Sequence, residues 1–316
     1  MQTSPLPEST FFFFTVTPSP QQGEGRGGEK QTHVSETPFI SSSTPHEPQQ
    51  DVSFATMNFV NTSDNFMAGK TCQFINNWKL LTSDSTILSW VQRVKIDFTE
   101  GVFQHHCPLP LVFSGTEKLK MQAELDNLEK KSIIEPAHFN SSQFISNIFF
   151  RPKKDGLDRI ILNLKALNQS VEYHHFKMET LHNAIALMVP GCYMASVDLA
   201  DAYYSIPVHS DHRNFLRFLW EGRLYQFTCL PNGLAEAQRK FTKLLKVPFS
   251  ELRKSGFINS SYIDDSYLQG DTFEDCLENV HMTVAALDKL GFTVHQTKSV
   301  FTPSQTLVFL GLLSMP

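Results

Sequence analysis

Polar and small residues dominate the start of the chain, whereas apolar positions become frequent only from about residue 78 onward. The initial stretch is rich in Ser, Thr, Pro, Gln, Gly and Glu. Such a composition buries too little apolar surface to offset the entropy lost on folding. The pattern therefore predicts a disordered leader over residues 1–65. The apolar positions that follow, with a short helix expected to start near Ser85, predict a helical segment over residues 66–130.

Helical periodicity recurs in three later stretches. The first, over residues 116–131, follows a capping box that starts at Ser114. The second, over residues 235–254, predicts a basic helix with a break at Pro248, and the third, over residues 273–290, predicts an acidic helix. The lysines on the polar side of the first helix are predicted to be solvated: Lys118, Lys120, Lys130 and Lys131.

Alternating and β-rich runs predict strands between these helices. Residues 144–150 and 159–164 flank an Asp-Gly turn within residues 153–156, which predicts a β-hairpin. Residues 193–198 alternate between apolar and polar side chains, which predicts a half-buried strand. Residues 257–268 form a further β-rich run that two aspartates interrupt.

Composition and charge exclude several classes of protein. A formal charge of -5 and a pI near 6.2 disfavour binding of nucleic acid through bulk positive charge, so we expect a local basic patch on the helix over residues 235–254. The five cysteines are far apart and include no CxxC pair, which disfavours disulfides and cysteine zinc sites. Without a signal peptide or a long apolar run, we expect an intracellular protein, cytoplasmic or nuclear, that is not secreted and has no membrane partner.

Three carboxylates are the strongest candidates for chemistry. Asp264 and Asp265 stand between apolar neighbours, where burial of both without a partner would cost several kcal/mol. A solvated hairpin tip is the commoner explanation for such a pair, and a metal ion is the other. Asp198 ends a separate predicted strand and favours the second explanation, because two-metal phosphoryl transfer needs converging oxygen ligands. Hard oxygen ligands favour Mg²⁺.

Several segments resemble the motifs of reverse transcriptases, and they occur in the family's order. Residues 196–203 resemble motif A, and residues 262–265, Tyr-Ile-Asp-Asp, match the YxDD sequence of motif C. The other similarities are to motif B at residues 230–234, to motif D at residues 290–292 and Lys298, to motif E at residues 309–311, and to the fingers hairpin at residues 153–156 and Arg159. The sequence near residues 256–270 is most similar to the DIRS group of tyrosine-recombinase retrotransposons.

The resemblance implies an α+β fold with polymerase fingers and palm. The palm is expected to contain a ferredoxin-like antiparallel sheet, and the fingers and palm together to occupy residues 131–316. The similarity ends before a thumb or RNase H domain would follow, so the resemblance implies weak processivity.

The resemblance also implies a metal site. Asp198 and Asp264 correspond to the main ligands, Asp265 would assist them, and the carbonyl of Leu199 would add a main-chain ligand. The implied cofactor is a pair of Mg²⁺ ions, for which Mn²⁺ could substitute.

The remaining implied roles concern the nucleotide and the primer. Lys153 and Arg159 would neutralise the incoming triphosphate, and Lys298 would protonate the leaving pyrophosphate. Tyr203 would act as a steric gate against ribonucleotides. The other nucleotide-binding positions are Asp201, Ala202 and Asn232, and the primer grip is Phe309, Leu310 and Gly311.

The implied function is RNA-directed DNA polymerisation on an RNA or DNA template with a primer and deoxynucleoside triphosphates. The alternative is an inactive retrotransposon remnant that retains the fold and serves as a nucleic-acid or protein binding module or has no function. Glu236 and Gln238, which stand where motif B has a small residue and a proline, and the missing thumb favour this alternative. We expect Glu236 to place a carboxylate near the nucleotide pocket. An RNA-directed RNA polymerase is disfavoured by Tyr203, and the oligomeric state is not indicated.

Weaker candidates lack the pattern that their chemistry requires. Residues 69–71, Gly-Lys-Thr, resemble the end of a P-loop, but Asp64 stands where its first glycine is needed. The pairs at residues 105–106 and 174–175 have no second ligand pair at metal-site spacing. We therefore reject the P-loop and interpret the two histidine pairs as solvated loop residues.

Overall fold

The computed structural model describes residues 66–152 and 158–314, and the predicted leader lies outside them. The helices are α1 (Ile75–Leu81), α2 (Ser85–Gln92), α3 (Gly115–Lys130), α4 (Leu181–Leu187), α5 (Ser210–Arg213), α6 (Ala237–Lys254) and α7 (Phe273–Lys289). The strands are β1 (Ile134–Pro136), β2 (Ile148–Pro152), β3 (Asp158–Leu162), β4 (Tyr193–Asp198), β5 (Arg217–Trp220), β6 (Arg223–Phe227), β7 (Ile258–Tyr262), β8 (Asp265–Gly270), β9 (Val300–Ser304), β10 (Leu307–Phe309) and β11 (Leu312–Ser314).

A four-stranded antiparallel sheet in the order β7-β8-β4-β9 forms the centre of the palm. Helices α6 and α7 contact this sheet, and the large apolar core lies between the helices and the strands. The predicted α+β fold with an antiparallel palm sheet is confirmed.

Strand β4 is buried on both faces, which corrects the prediction of a half-buried strand. Ala195 and Val197 face the main core. Met194, from the other face, packs in a second core with Tyr267 and Phe309. The alternation in sequence therefore separates two apolar environments and not an apolar face from a solvated one.

The fingers contain two smaller antiparallel sheets. One has the strand order β1-β6-β5, and the other is the hairpin of β2 and β3. Arg151 pairs with Arg159 across the hairpin, which confirms the predicted pairing. The tip at residues 153–157 lies outside the described residues, and Lys153 with it.

The segment before α3 packs directly on the palm. Trp78 is fully buried, and its indole N–H donates a hydrogen bond of 3.1 Å to the carbonyl of Leu290. Helix α2 begins as expected, because the Asp84 carboxylate accepts hydrogen bonds from the first-turn amides. The division of the chain at residues 65 and 130 stays a prediction.

Helix α6 runs without a break through Pro248, so the predicted break is wrong. Proline removes one backbone donor within a helix, but Pro248 is buried and its packing helps to offset that loss.

Within the two described stretches, no helix combines the length and the apolar character needed to cross a membrane.

Candidate active site

Two adjacent strands bring the predicted catalytic carboxylates together. In the β4–β8 pair, Asp198 lies directly opposite Asp265. Asp264 occupies the two-residue turn that joins β7 to β8, and its carbonyl accepts a 3.0 Å hydrogen bond from the amide of Leu199. The antiparallel register thus places residues that are far apart in sequence at one end of the palm sheet.

The turn before Asp264 holds an unusual backbone conformation. Ile263 has a φ of 55°, a value that a β-branched side chain rarely adopts and that costs about 1–3 kcal/mol. Strain of this kind often marks a functional site. Here it supports the hypothesis that the turn takes part in catalysis and does not only connect β7 to β8.

Residues 295–299, which directly precede β9, hold the backbone of Asp198 in place. Its amide donates a 3.0 Å hydrogen bond to the Ser299 hydroxyl, and its carbonyl accepts a 2.8 Å hydrogen bond from the amide of His295. The Ser299 hydroxyl in turn donates to the carbonyl of His295 at 2.8 Å. The motif D segment therefore braces the end of β4.

The electrostatic environment disfavours negative charge on these carboxylates. Burial, together with the nearby Asp264 and Asp265 carboxylates, raises the pKa of Asp198 to about 7, and Lys298 limits the rise. Burial and Asp265 also raise the pKa of Asp264, against Arg159 and Lys298. A cation bound between the carboxylates would relieve both burial and repulsion.

A cavity of about 920 Å³ opens beside the carboxylates. Its walls include most of the predicted metal and nucleotide residues: Arg159, Asp198, Leu199, Asp201, Ala202, Tyr203, Asn232, Asp264 and Lys298. Asp265 and the turn at residues 309–311 lie outside the described lining. The site roles of all these residues stay predictions, but the structure places the nine lining residues around one cavity.

Tyr203 is held against one wall of this cavity. Its ring packs edge-on against Phe241, with centroids 5.1 Å apart, and the Gln238 side chain hydrogen-bonds its hydroxyl. Burial raises the pKa of Tyr203 well above its usual range, so the hydroxyl stays protonated. The neighbouring Tyr204 hydroxyl accepts a 3.2 Å hydrogen bond from Asn232.

The predicted primer grip forms the hairpin of β10 and β11. Leu310 and Gly311 make its turn, with φ values of 50° and 82°. Phe309 is buried and packs near the Tyr267 ring. Val308 and Gly311 are exposed on this hairpin, whereas Leu310 is half-buried. The role of the turn towards a primer stays a prediction.

The expectation that Glu236 lies near the nucleotide pocket is wrong. Its carboxylate is buried on the opposite side of α6, 2.9 Å from the ammonium of Lys240, and it accepts a hydrogen bond from the amide of Asp97. Gln238 lines the cavity instead. The Glu236 side chain faces the segment that precedes α3, because its hydrogen-bond donor, the amide of Asp97, lies there.

The predicted basic patch on α6 is also absent in the form expected. Arg239 and Lys240 are buried and paired with Asp97. Arg253 pairs with Glu179, and the ammonium of Lys246 donates to a backbone carbonyl. Arg239, Lys240 and Arg253 are thus paired with carboxylates of the protein, whereas Lys243 and Lys254 of the predicted patch are exposed.

One wall of the cavity comes from α3, which the sequence interpretation missed. The α3 positions that line the cavity recur on one helical face: Lys120, Ala123, Glu124, Asn127, Leu128 and, at the C-cap, Lys131. This spacing was visible in the sequence. However, polar residues at helical spacing usually indicate solvent, and nothing local to α3 shows that a cavity lies beside it.

The weaker sequence candidates have structural roles or no site. Thr71 is buried, and its hydroxyl donates to the carbonyl of Ser205 at 2.9 Å, so residues 69–71 are not a phosphate loop. His174 lies 3.5 Å from Glu172. In the described part of the chain, no group of three or more His, Cys, Asp or Glu side chains is already arranged to hold a metal ion.

Curated relatives are polyproteins of retroviruses and retrotransposons. The chain is 23% identical over 194 residues to the Pro-Pol polyprotein of Simian foamy virus type 1, which covers 61% of this chain and 16% of the relative. It is 21% identical over 280 residues to the retrovirus-related Pol polyprotein from transposon 412 of Drosophila melanogaster, which covers 86% of this chain and 22% of the relative. The chain thus spans less than a quarter of the length of these proteins.

Solved structures with a similar fold include the prototype foamy virus protease-reverse transcriptase. Its crystal structure aligns with a TM-score of 0.59 at 21% identity and covers 70% of this chain and 29% of that chain. The foamy viral protease-reverse transcriptase in complex with double-stranded DNA aligns with a TM-score of 0.60 at 18% identity, over 77% of this chain and 51% of that chain. At this identity the likeness concerns the fold.

A model of the family described as reverse transcriptase (RNA-dependent DNA polymerase) matches residues 151–313. This match covers just over half of the chain and includes both carboxylate-bearing strands and the turn between β10 and β11. The chain belongs to the reverse transcriptase family.

Proposed function

We propose that this chain is an active RNA-directed DNA polymerase that adds deoxynucleotides to a primer by two-metal catalysis. At the level of the family, RNA-directed DNA polymerisation is supported by the match above. The observation that carries the proposal for this chain is the convergence of Asp198 and Asp264 on a cavity that Arg159 and Lys298 also line. Carboxylates for metal and cations for phosphate are the groups that nucleotidyl transfer requires.

The chemistry of the carboxylates fits magnesium. Mg²⁺ is usually bound by one or two protein carboxylates, with water and substrate phosphates completing its octahedron, so a preformed centre of three or more protein ligands is not needed. Asp198 and Asp264 would hold the ions, with Asp265 and the Leu199 carbonyl as further ligands, and Mn²⁺ could substitute. When bound, the ions would stabilise charge on the attacking and leaving oxygens.

The chain's own residues would orient the reactants. Arg159 and Lys153 would neutralise the triphosphate, and Asn232 would line the nucleotide pocket. The primer hydroxyl would attack the α-phosphate, and Lys298 would give a proton to the leaving pyrophosphate. The turn at residues 309–311 would hold the primer strand on an RNA or DNA template.

The remnant alternative loses one of its supporting observations. Glu236 is directed away from the cavity and so does not place a carboxylate near the nucleotide. Gln238 does line the cavity and remains the unusual residue of motif B.

We also infer from residues 256–270 that the chain is related to the DIRS group. The relatives named above are not described as DIRS elements, so this assignment stays a prediction.

Primer extension on poly(rA) with oligo(dT), Mg²⁺ and dTTP tests the proposed activity. We expect extension by the parent protein and none by the Asp264→Asn/Asp265→Asn variant. Asp271→Asn is the matched control, because Asp271 directly follows the opposite end of β8 and is exposed. Absence of extension by a parent protein with a native circular dichroism spectrum would favour the remnant alternative.

Removal of the Tyr203 ring is expected to relax discrimination between sugars. In the Tyr203→Ala variant, the ratio of ribonucleotide to deoxynucleotide incorporation should rise about tenfold or more, which corresponds to about 1.4 kcal/mol of lost discrimination. Tyr203→Phe keeps the ring that packs on Phe241 and should change the ratio much less. Single-nucleotide incorporation with UTP and dTTP measures both ratios, and equal ratios for the alanine variant and the parent would show that Tyr203 is not a gate.

A further inference from the structure

Lys131 lies at a position that the sequence assigned to solvent. It forms the C-cap of α3, where a cation interacts favourably with the helix dipole. Its ammonium is 2.7 Å from a carboxylate oxygen of Asp201 and 5.7 Å from the centroid of the Phe66 ring. The side chain is 27% exposed, and it lines the cavity that contains the catalytic carboxylates.

The structural contacts of Lys131 leave it able to bind a ligand. An ammonium group has three N–H donors, and Asp201 accepts from one of them. The Asp201 carboxylate and the Phe66 ring restrict the long lysine stem, so less side-chain entropy is lost when a ligand binds. An ion pair of this exposure would by itself contribute only about 0–1 kcal/mol to stability, which makes a purely structural role a weak explanation for its position.

The charges around the cavity are distributed between its walls. Arg159 comes from the fingers hairpin and Lys298 from the motif D segment, whereas Lys120 and Lys131 come from the α3 wall. A triphosphate is elongated and strongly anionic, and it is best bound by cations on more than one side. Lys131 supplies such a cation on the wall that carries neither of the predicted triphosphate residues.

We propose that Lys131 is a triphosphate-binding residue of this cavity and that Asp201 positions its ammonium group for the ligand. The assignment of the cavity to a nucleotide rests on the proposed function. The expected affinity for a bare polyphosphate does not depend on the proposed function, because inorganic tripolyphosphate has neither base nor sugar and undergoes no polymerisation.

Calorimetric titration of the chain with inorganic tripolyphosphate at low salt tests the proposal. We expect Lys131→Met to weaken binding about tenfold or more, as loss of one charge-assisted hydrogen bond should, and Lys131→Arg to restore most of the affinity. Lys130→Met is the matched control, since Lys130 is the adjacent exposed lysine, and it should leave the affinity within about twofold. Equal affinities for Lys131→Met and the parent would overturn the proposal.

A second variant separates a direct contact from simple neutralisation of Asp201. If Lys131 contacts the phosphates, the Lys131→Met/Asp201→Asn variant should remain weaker than Asp201→Asn alone. Recovery of the parent affinity by the double variant would show that Lys131 only neutralises Asp201 and would refute the proposal. Primer extension by the parent is unaffected by this outcome, so failure of the inference and failure of the proposed function are distinguishable.

Acetylation footprinting of the unaltered chain provides a test that does not depend on folding of the variants. Tripolyphosphate should slow acetylation of the Lys131 amine at least threefold relative to Lys130, as read by mass spectrometry, because a bound anion blocks the ammonium and favours its protonated form. Equal protection of both lysines would contradict the proposal.

Discussion

Replacement of Asp198 by asparagine is expected to stabilise the metal-free protein near pH 8 while it reduces nucleotide addition by about 10³-fold, or roughly 4 kcal/mol in the barrier. The two effects have one cause. Asp198 lies opposite Asp265 and close to Asp264, an arrangement that suits a metal ion and is unfavourable without one. Asparagine removes the repulsion, and under the proposed function it would also remove a metal ligand.

The pH dependence of this stabilisation follows from the pKa of Asp198. Burial and the neighbouring carboxylates raise that pKa from its ordinary value of 3.8 to about 7. Between these two values the folded protein retains a proton that the unfolded chain has lost, so the stability of the parent falls as the pH rises. Above about pH 7 the deficit is constant. The advantage of Asp198→Asn should therefore be absent near pH 3, grow up to pH 7 and then level off.

Thermal unfolding with and without magnesium measures both parts of this expectation. Asp198 is partly exposed, so solvent screening reduces the stabilisation to about 1–2 kcal/mol, and each kcal/mol should raise the Tm by about 2–4 °C. Magnesium should raise the Tm of the parent more than that of Asp198→Asn, because a ligand stabilises only the state that binds it. The same magnesium response in both proteins would contradict the assignment of Asp198 as a metal ligand.

Local patterns in the sequence were sufficient to locate the strand ends that carry the candidate catalytic aspartates. The alternation over β4 and the aspartates of the β7–β8 hairpin predicted carboxylates at the ends of strands, and the motifs supplied their order along the chain. The register was not available in this way. Asp198 and Asp265 become opposite only because β8 pairs with β4 inside the palm sheet, and this pairing depends on contacts between distant parts of the chain.

Errors in the sequence interpretation arose where distant partners decide the direction of a side chain. Glu236 stands in motif B, but its carboxylate accepts a hydrogen bond from an amide 139 residues away in sequence. Lys131 was interpreted as solvated because its neighbours on α3 are polar, and its partner Asp201 is 70 residues away. Helical periodicity identifies a face, but it does not identify the element that covers that face.

Buried charged side chains lie between α6 and the segment that precedes α3. We expect a large loss of stability when one member of a charged pair is removed. Glu236 and Lys240 are both nearly inaccessible, with 1% and 0% of their side chains exposed, and Lys240 also lies 3.3 Å from Asp97. Burial raises the pKa of Glu236, and the Lys240 ammonium opposes this rise. The charged form of Glu236 therefore depends on Lys240.

Lys240→Met is expected to lower the free energy of unfolding by about 3–5 kcal/mol, because it leaves the Glu236 carboxylate buried without its main counter-charge. Methionine has a similar length, so loss of packing contributes little. At about 2–4 °C per kcal/mol, the Tm should fall by roughly 6–20 °C. Urea unfolding followed by circular dichroism gives the corresponding free energy.

Two comparisons test whether the unpaired buried charge causes this loss. Lys254→Met, on the same helix, removes a lysine whose pair with Glu251 is largely exposed, and it should cost less than about 1 kcal/mol. Glu236→Met/Lys240→Met removes both buried charges, and it should be more stable than Lys240→Met alone, since apolar side chains avoid the cost of burying an ion. If the double variant were less stable than either single variant, the cluster would be stabilising through its net attraction, and the cost of the Lys240 substitution would not come from an orphaned carboxylate.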